Sequence, residues 1–245
     1  MKTYKLHLVR HGLTQANIDG LYIGSTDVPL AENGKKDLKN LKSKFEYPKA
    51  GVLYCSPLLR CLQTAEILFP EMKKNIINDL RECDFGNWEN KSANSLKNDP
   101  DFLSWISSGK VSSACTAESM RSFTLRIRSC FENIIDNIIR NEKKDAIIVT
   151  HGGVIMTALA TFGVPKAKTF EWHTNNGCGY SVRITPSLWM RDKVFEVYDK
   201  IPDSIYCESK NEMAFVTDSV RTAKNELLQK AKEISNTSQE NQESK

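Results

Sequence analysis

Twice along this chain a short aliphatic run stops at a histidine followed by glycine. The first copy reads Leu8-Val9-Arg10-His11-Gly12, the second Ile148-Val149-Thr150-His151-Gly152-Gly153. Both read as β-strands that end abruptly. In an α/β sheet, ligands bind in the crevice beyond the carboxyl ends of the strands, so two central, parallel strands of this kind would aim both histidines into one crevice. Glycine beside each histidine lets a ligand approach the backbone where a side chain would block it. Either motif alone reads most simply as a histidine satisfied by a backbone carbonyl. Their repetition, where a site is expected, favours the functional reading.

The rest of the pattern suits such a sheet. Tyr4 to Val9 is the first strand. Ala31 to Phe45 is helical, with Leu38, Leu41 and Phe45 at helical spacing and lysines opposite. Gly51 to Cys55 is a second strand. Pro57 sits where a helix begins, and Leu58 to Phe69 continues it with Leu62, Ala65 and Leu68 on one side. Ile76 to Leu80 reads as a third strand. Residues 87 to 117 are polar and irregular apart from a short helix around Phe102 to Ile106. Glu118 to Arg140 is the clearest helix: Met120, Phe123, Ile127, Phe131, Ile134 and Ile138 recur at intervals of three and four. Ala146 to Thr150 is a strand, followed by a small-residue helix through Ala160. Gly179 to Thr185 and Val194 to Tyr198 alternate as a terminal strand pair. Strands alternating with helices predict an α/β fold, a three-layer α/β/α sandwich with a mostly parallel central sheet and helices on both faces.

Residues 1–204 are expected to form this domain, with a lid or insertion at about 87–117. Residues 205–245 differ in character. Val220, Ala223, Leu227, Ala231 and Ile234 make a narrow apolar stripe on a helix, followed by a polar tail without core-forming residues. The stripe is too short for a coiled coil and is expected to dock on the chain's own core.

With 245 residues, 40% apolar and 26% charged, the chain can bury a core without staples. Lys and Arg total 34 against 30 for Asp and Glu, and so small an excess speaks against a nucleic-acid or membrane-surface protein. Seven scattered cysteines form no CxxC and four histidines no HExxH, so neither a disulfide scaffold nor a metal site is expected. The start, MKTYKLHLVR, lacks the apolar stretch of a signal peptide, and no aliphatic run is long enough to span a bilayer. A reduced cytoplasmic protein is the expectation.

Two arginines complete the crevice. Arg10 precedes the first histidine, and Arg60 lies one turn into the helix after Ser56-Pro57. Guanidinium groups grip phosphate oxygens in a bidentate way and stay charged. Arg60 alone would read as part of a solvated helix face. Arg10, at the buried end of a strand, is harder to dismiss, because an unpaired buried charge is very costly.

Taken in order, the residues resemble the histidine phosphatase superfamily, which includes the cofactor-dependent phosphoglycerate mutases and many small phosphatases. The matching residues are Arg10-His11-Gly12 with Thr14 and Asn17; Gly24, Asp27, Pro29-Leu30 and Gly34; and Ser56-Pro57-Leu58, Arg60 and Gln63-Thr64-Ala65. They continue with Leu80-Arg81-Glu82, Asp84-Phe85-Gly86 and Trp88-Glu89, and end with Thr150-His151-Gly152-Gly153. The resemblance implies that His11 is the nucleophile that becomes a transient phosphohistidine. It implies that Arg10, Arg60 and His151, with Asn17 and Gly152, hold the phosphoryl oxygens, and that Glu82 protonates the leaving oxygen and then activates water. In-line phosphoryl transfer needs positioning and fixed positive charge above all. His11 must keep its proton on the ring nitrogen that does not attack, held by an acceptor. An ordinary carboxyl would donate poorly at neutral pH, so Glu82 needs desolvation or an anionic substrate beside it. Without the surrounding motif it would read as a surface carboxylate paired with Arg81.

A phosphatase admits water where a mutase excludes it. Ile23-Gly24 stands where the mutases carry Thr-Gly, and the segment after the glutamate motif holds only Lys91, Lys97 and Lys110. The run Asp84 to Glu89 looks closer to alpha-ribazole phosphatase and its broad-specificity relatives. The expected function is therefore hydrolysis of a small phosphorylated metabolite, alpha-ribazole phosphate being one candidate. The alternatives are a cofactor-dependent phosphoglycerate mutase and a phosphometabolite-binding protein with little turnover; a second copy of the chain is an admissible partner. Trp88, Phe102 and Trp105 either stack on a ring-bearing substrate or, as the simpler reading has it, pack the insertion onto the domain. Leu13, Ala31 and Asn90 depart from the family pattern, and with Ala31 in the usual place of a threonine the helix cap is left to Asn33 or another donor.

Overall fold

The computed structural model describes residues 2–112, 115–204 and 206. Its strands are β1 (Tyr4–Arg10), β2 (Val52–Cys55), β3 (Lys74–Ile76), β4 (Asp145–Thr150), β5 (Gly163–Val164), β6 (Gly179–Ile184) and β7 (Phe195–Ile201). The helices are α1 (Gln15–Ile18), α2 (Glu32–Lys44), α3 (Leu59–Leu68), α4 (Ala93–Leu96), α5 (Pro100–Ser108), α6 (Met120–Arg140), α7 (Gly152–Phe162) and α8 (Pro186–Asp192). The strands form one sheet in the order β3-β2-β4-β1-β6-β7-β5. β3, β2, β4 and β1 run parallel, and β6 alone runs against its neighbours β1 and β7. The two histidine-bearing strands are thus central, adjacent and parallel.

Side chains on successive residues of β4 point to opposite faces, and both faces are apolar because both are covered. Ala146 and Ile148 join Leu6 and Leu8 of β1 in a core closed by α6, α7 and Trp189 of α8. Ile147 and Val149 join Val9, Leu53 and Cys55 in a core closed by α2 and α3. The three-layer sandwich with a mostly parallel sheet is the observed architecture. The expected strand pair near the end forms as β6 and β7, separated by α8. That helix was not foreseen because its apolar anchor, Trp189, is a single residue in a short stretch opened by Pro186 at the first turn.

Other differences have local causes. The third strand ends at Ile76, and Asn78 to Leu80 turns as a 3₁₀ helix in place of the expected extension. Short β2 offers register partners only to Lys74, Asn75 and Ile76. Ala31 precedes α2 with no side-chain cap, so Asn33 does not supply one. The insertion expected to be largely irregular contains α4 and α5, capped by the side chains of Ser92 and Asp99. Both helices fold over a separate apolar cluster of Trp88, Leu96, Phe102 and Ala117, with Tyr22, Phe85 and Trp105 against it. Of residues 205–245 only Tyr206 is described, so the C-terminal helix and tail expected there lie outside the described residues. Among the described residues no helix is long and apolar enough to cross a membrane.

Because Ile148 is fully buried in the central strand, Ile148→Ala is expected to cost about 2–5 kcal/mol. Urea unfolding would show this as a lower midpoint with unchanged slope; a shift under about 0.5 kcal/mol would mean that this core is not closed as described.

Candidate active site

The register pairs Arg10 with Thr150, so the residues that follow, His11 and His151, leave the sheet at the same level. The His11 N–H extends the ladder by one more bond, donating to the Thr150 carbonyl at 2.9 Å. The imidazole rings meet edge to face with centroids 5.2 Å apart. Both rings are buried. The Nδ1 of His11 lies 2.7 Å from the carbonyl of Gly12. A carbonyl only accepts, so Nδ1 carries the proton and Nε2 keeps a lone pair. His151 has the opposite tautomer. Arg60 Nε donates to its Nδ1 at 3.3 Å, which leaves the proton on Nε2, 2.8 Å from the Ser56 hydroxyl oxygen.

Both arginines come into this crevice, and both are held by carbonyls. Arg60, only 1% exposed, donates through Nη1 to Thr26 and through Nη2 to Gly24, at 2.9 and 2.7 Å. Arg10 Nη1 donates to the Thr174 carbonyl at 2.7 Å, while its buried Nε has no hydrogen-bond partner among the described residues. Gly152 opens α7 beside this guanidinium. Asn17 reaches the rim: its Oδ1 accepts from the N–H of Thr14 and lies 3.4 Å from the donating amide of Asn176.

Glu82 faces these groups from the turn after Leu80. Its Oε2 accepts from the N–H of Gly153 at 2.9 Å and its Oε1 from that of Cys83 at 3.0 Å. The seven residues expected in the site are therefore brought to one end of the sheet. No cluster of three or more His, Cys, Asp or Glu among the described residues is placed to hold a metal ion.

A family model for the histidine phosphatase superfamily (branch 1) matches residues 6–195. The chain belongs to the histidine phosphatase superfamily. The adenosylcobalamin/alpha-ribazole phosphatase of Escherichia coli is 26% identical over 185 residues, covering 74% of this chain and 90% of its own length. Phosphoserine phosphatase 1 of Hydrogenobacter thermophilus is 30% identical over 184 residues, covering 73% of this chain and 85% of its own length. Among solved structures, the alpha-ribazole phosphatase of Shigella flexneri superposes with a TM-score of 0.66 at 25% identity, covering 79% of this chain and 94% of its own. A phosphoglycerate mutase of Bacillus anthracis shares the fold, with a TM-score of 0.69 at 19% identity over 84% of this chain and 96% of its own. Read with these relatives, the present histidine phosphatase is a phosphoric monoester hydrolase.

The electrostatics of this histidine phosphatase suit that chemistry. Burial, then the charges of Arg60 and Arg10, hold His11 well below its ordinary 6.5, so the ring stays neutral. Burial and Arg60 do the same for His151. Burial raises the carboxyl of Glu82 above its ordinary 4.5 against the pull of the two amides and the two arginines. The device that holds Arg60 was not visible in the sequence. Glu89 accepts from the backbone N–H groups of Gly24, Ser25, Thr26 and Phe85, and so sets the loop whose carbonyls receive the guanidinium. Its place in the Trp88-Glu89 motif was the one available signal. Thr64, in the Gln63-Thr64-Ala65 motif, has a structural part as well. Its hydroxyl accepts from the N–H of Gly12 and donates to the Arg60 carbonyl at 2.6 Å, tying strand to helix. Asn176 was missed altogether, and donates to the carbonyls of His11 and Gly12.

Gly12 and Gly153 also answer to close packing. A Cβ at position 12 would come within 2.6 Å of Leu38, so Gly12 makes room for α2. One at position 153 would stand 2.4 Å from Oε1 of Glu82. The three aromatic residues of the insertion pack it rather than face a substrate: Trp88 and Phe102 are buried, and the Trp105 indole donates to the Glu118 carbonyl.

Two outcomes follow from this geometry. Gly153→Ala should push the Glu82 carboxylate aside and lower kcat on the order of tenfold or more with folding retained, checked by steady-state kinetics beside a thermal melt. All four histidines, His7, His11, His151 and His173, are held below 6.5 by burial, His173 to about 4. As pH falls through 6.5 the unfolded chain therefore takes up protons before the native one, and stability is lost; Glu82, whose carboxyl is raised, acts with opposite sign. The melting temperature should drop from about pH 7 to about pH 5, and a rise would contradict the buried neutral rings.

Proposed function

We propose that this chain is a cytoplasmic phosphatase that hydrolyses its ester in two half-reactions through a phosphohistidine on His11. The observation that carries the reading is the Nδ1–H of His11 fixed on the Gly12 carbonyl, between two buried guanidinium groups that make no ion pair with any described residue. In the first half, Nε2 attacks phosphorus, the bond from phosphorus to the ester oxygen breaks, and that oxygen leaves with the proton of Glu82. In the second, the Glu82 carboxylate takes a proton from water, whose oxygen attacks phosphorus as the bond to Nε2 breaks. Arg10, Arg60, His151 and Asn17 hold the equatorial oxygens, where charge collects in the transition state. Gly152, beside Arg10 at the opening of α7, contributes its backbone to the same pocket.

The substrate we favour is a small monoester of the alpha-ribazole phosphate kind. Relatives named for that activity match nearly their whole length. With Trp88 and Phe102 committed to packing, the base of such a substrate would have to be recognised by other residues of the rim.

Inorganic phosphate release from alpha-ribazole phosphate, phosphoserine, 3-phosphoglycerate and an aryl phosphate, each with and without EDTA, is the test. EDTA-insensitive release that disappears in His11→Ala is expected. Undiminished release in that variant would overturn the nucleophile. Interconversion of 2- and 3-phosphoglycerate after priming with the bisphosphate, without release, would make the chain a mutase. kcat/KM should fall on the acid side below the ordinary histidine range, as His11 protonates, and on the alkaline side above the ordinary carboxylate value, as Glu82 ionises. Glu82→Gln should abolish the alkaline limb.

A further inference from the structure

Arg126 lies on the second turn of α6 and carries none of the roles above. Its side chain is only 12% exposed and that of its partner Glu118 17%. Nε donates to Oε1 of Glu118 at 3.0 Å and Nη2 to Oε2 at 2.7 Å, a two-pronged pair. The other donors all go to the segment that bears the proton donor. Nη1 reaches the carbonyls of Asp79 and Arg81 at 2.8 and 2.9 Å, and Nη2 that of Glu82 at 3.2 Å. All five N–H groups of the guanidinium are thereby used. The Phe123 ring lies beneath the guanidinium, 5.1 Å away. Glu118 is anchored in turn: its N–H donates to the Asp84 carbonyl at 2.7 Å, and its Oε2 accepts from the Asp84 N–H at 3.3 Å.

The carbonyl that Nη2 holds belongs to the same planar peptide whose N–H, on Cys83, donates to Oε1 of Glu82. Fixing one end of that peptide fixes the other. From this we infer that Arg126, braced by Glu118, is a positioning residue for the proton donor, setting the Glu82 carboxyl at the height of the leaving oxygen. The inference rests on the reading of Glu82 as the general acid. A lysine, with three donors on one nitrogen, cannot span Glu118 and three carbonyls together.

Leaving groups distinguish this role from mere structural support. A para-nitrophenolate departs without a proton, whereas an alkoxide needs one, so a misplaced acid harms alkyl esters far more than aryl esters. kcat/KM would be measured on para-nitrophenyl phosphate and on glycerol phosphate for wild type, Glu82→Gln, Arg126→Lys and the double variant. Arg126→Lys is expected to lose at least about tenfold more on glycerol phosphate than on the aryl ester. The double variant should be no worse than Glu82→Gln on glycerol phosphate, because the two changes remove one function. Equal losses on both esters, or additive losses in the double variant, would overturn the inference while leaving the acid in place. If Glu82→Gln itself shows no dependence on the leaving group, the reading of Glu82 fails, and the inference with it. Thermal melts accompany each variant; should Arg126→Lys fail to fold, Glu118→Gln, which frees one prong of the brace, takes its place in the same comparison.

Discussion

The parallel ladder between β1 and β4 is the constraint on which the site depends. Arg10 is level with Thr150, and the next amide, that of His11, still donates to the Thr150 carbonyl. Side chains alternate along a strand, so a slip by one residue would turn both Arg10 and His11 to the wrong face. The continuous burial of β4 on both sides makes such a slip very costly. The apolar cores thus do chemical work at one remove, since they determine the level at which two imidazoles leave the sheet.

What is then gathered at that edge is positive charge held by dipoles rather than by counter-charge. Arg60 rests on the carbonyls of Gly24 and Thr26, Arg10 on that of Thr174. A carboxylate in direct contact would cancel the field that a phosphoryl group is to meet; carbonyls orient the guanidinium and leave its charge unspent. The cost of burying such charge is met one layer out, where Glu89 gathers four backbone N–H groups of the surrounding loops. Burial, with that same charge, keeps His11 neutral, so on the proposed mechanism one arrangement would both bind an anion and prepare the nucleophile.

Glu82 shows the same economy. Its carboxyl is buried, which favours the protonated form, yet two amides fix its oxygens, which favours the ionised one. On the proposed mechanism, in which Glu82 gives a proton and takes one back in successive steps, opposing influences of this kind suit the group. The aromatic insertion stands apart from this balance. Its rings pack on one another in a separate apolar cluster.

The sequence by itself determined the α/β class, the two strand ends, the superfamily and the residues that meet in the crevice, because strand burial and helix period are written in local spacing and the motifs are short. His11, Arg60, Glu82 and His151 could be named before any coordinates. Only the tertiary structure decided which ring nitrogen of each histidine carries the proton, since that depends on what lies across the fold: the Gly12 carbonyl bent back on His11, and Arg60 and Ser56 against His151. It also assigned Glu89, Thr64, Asn176 and Arg126 their places and gave Gly12 to packing. These residues act through backbone groups distant in the chain. A carbonyl has no letter in a sequence, so its partners become visible only once the chain has folded.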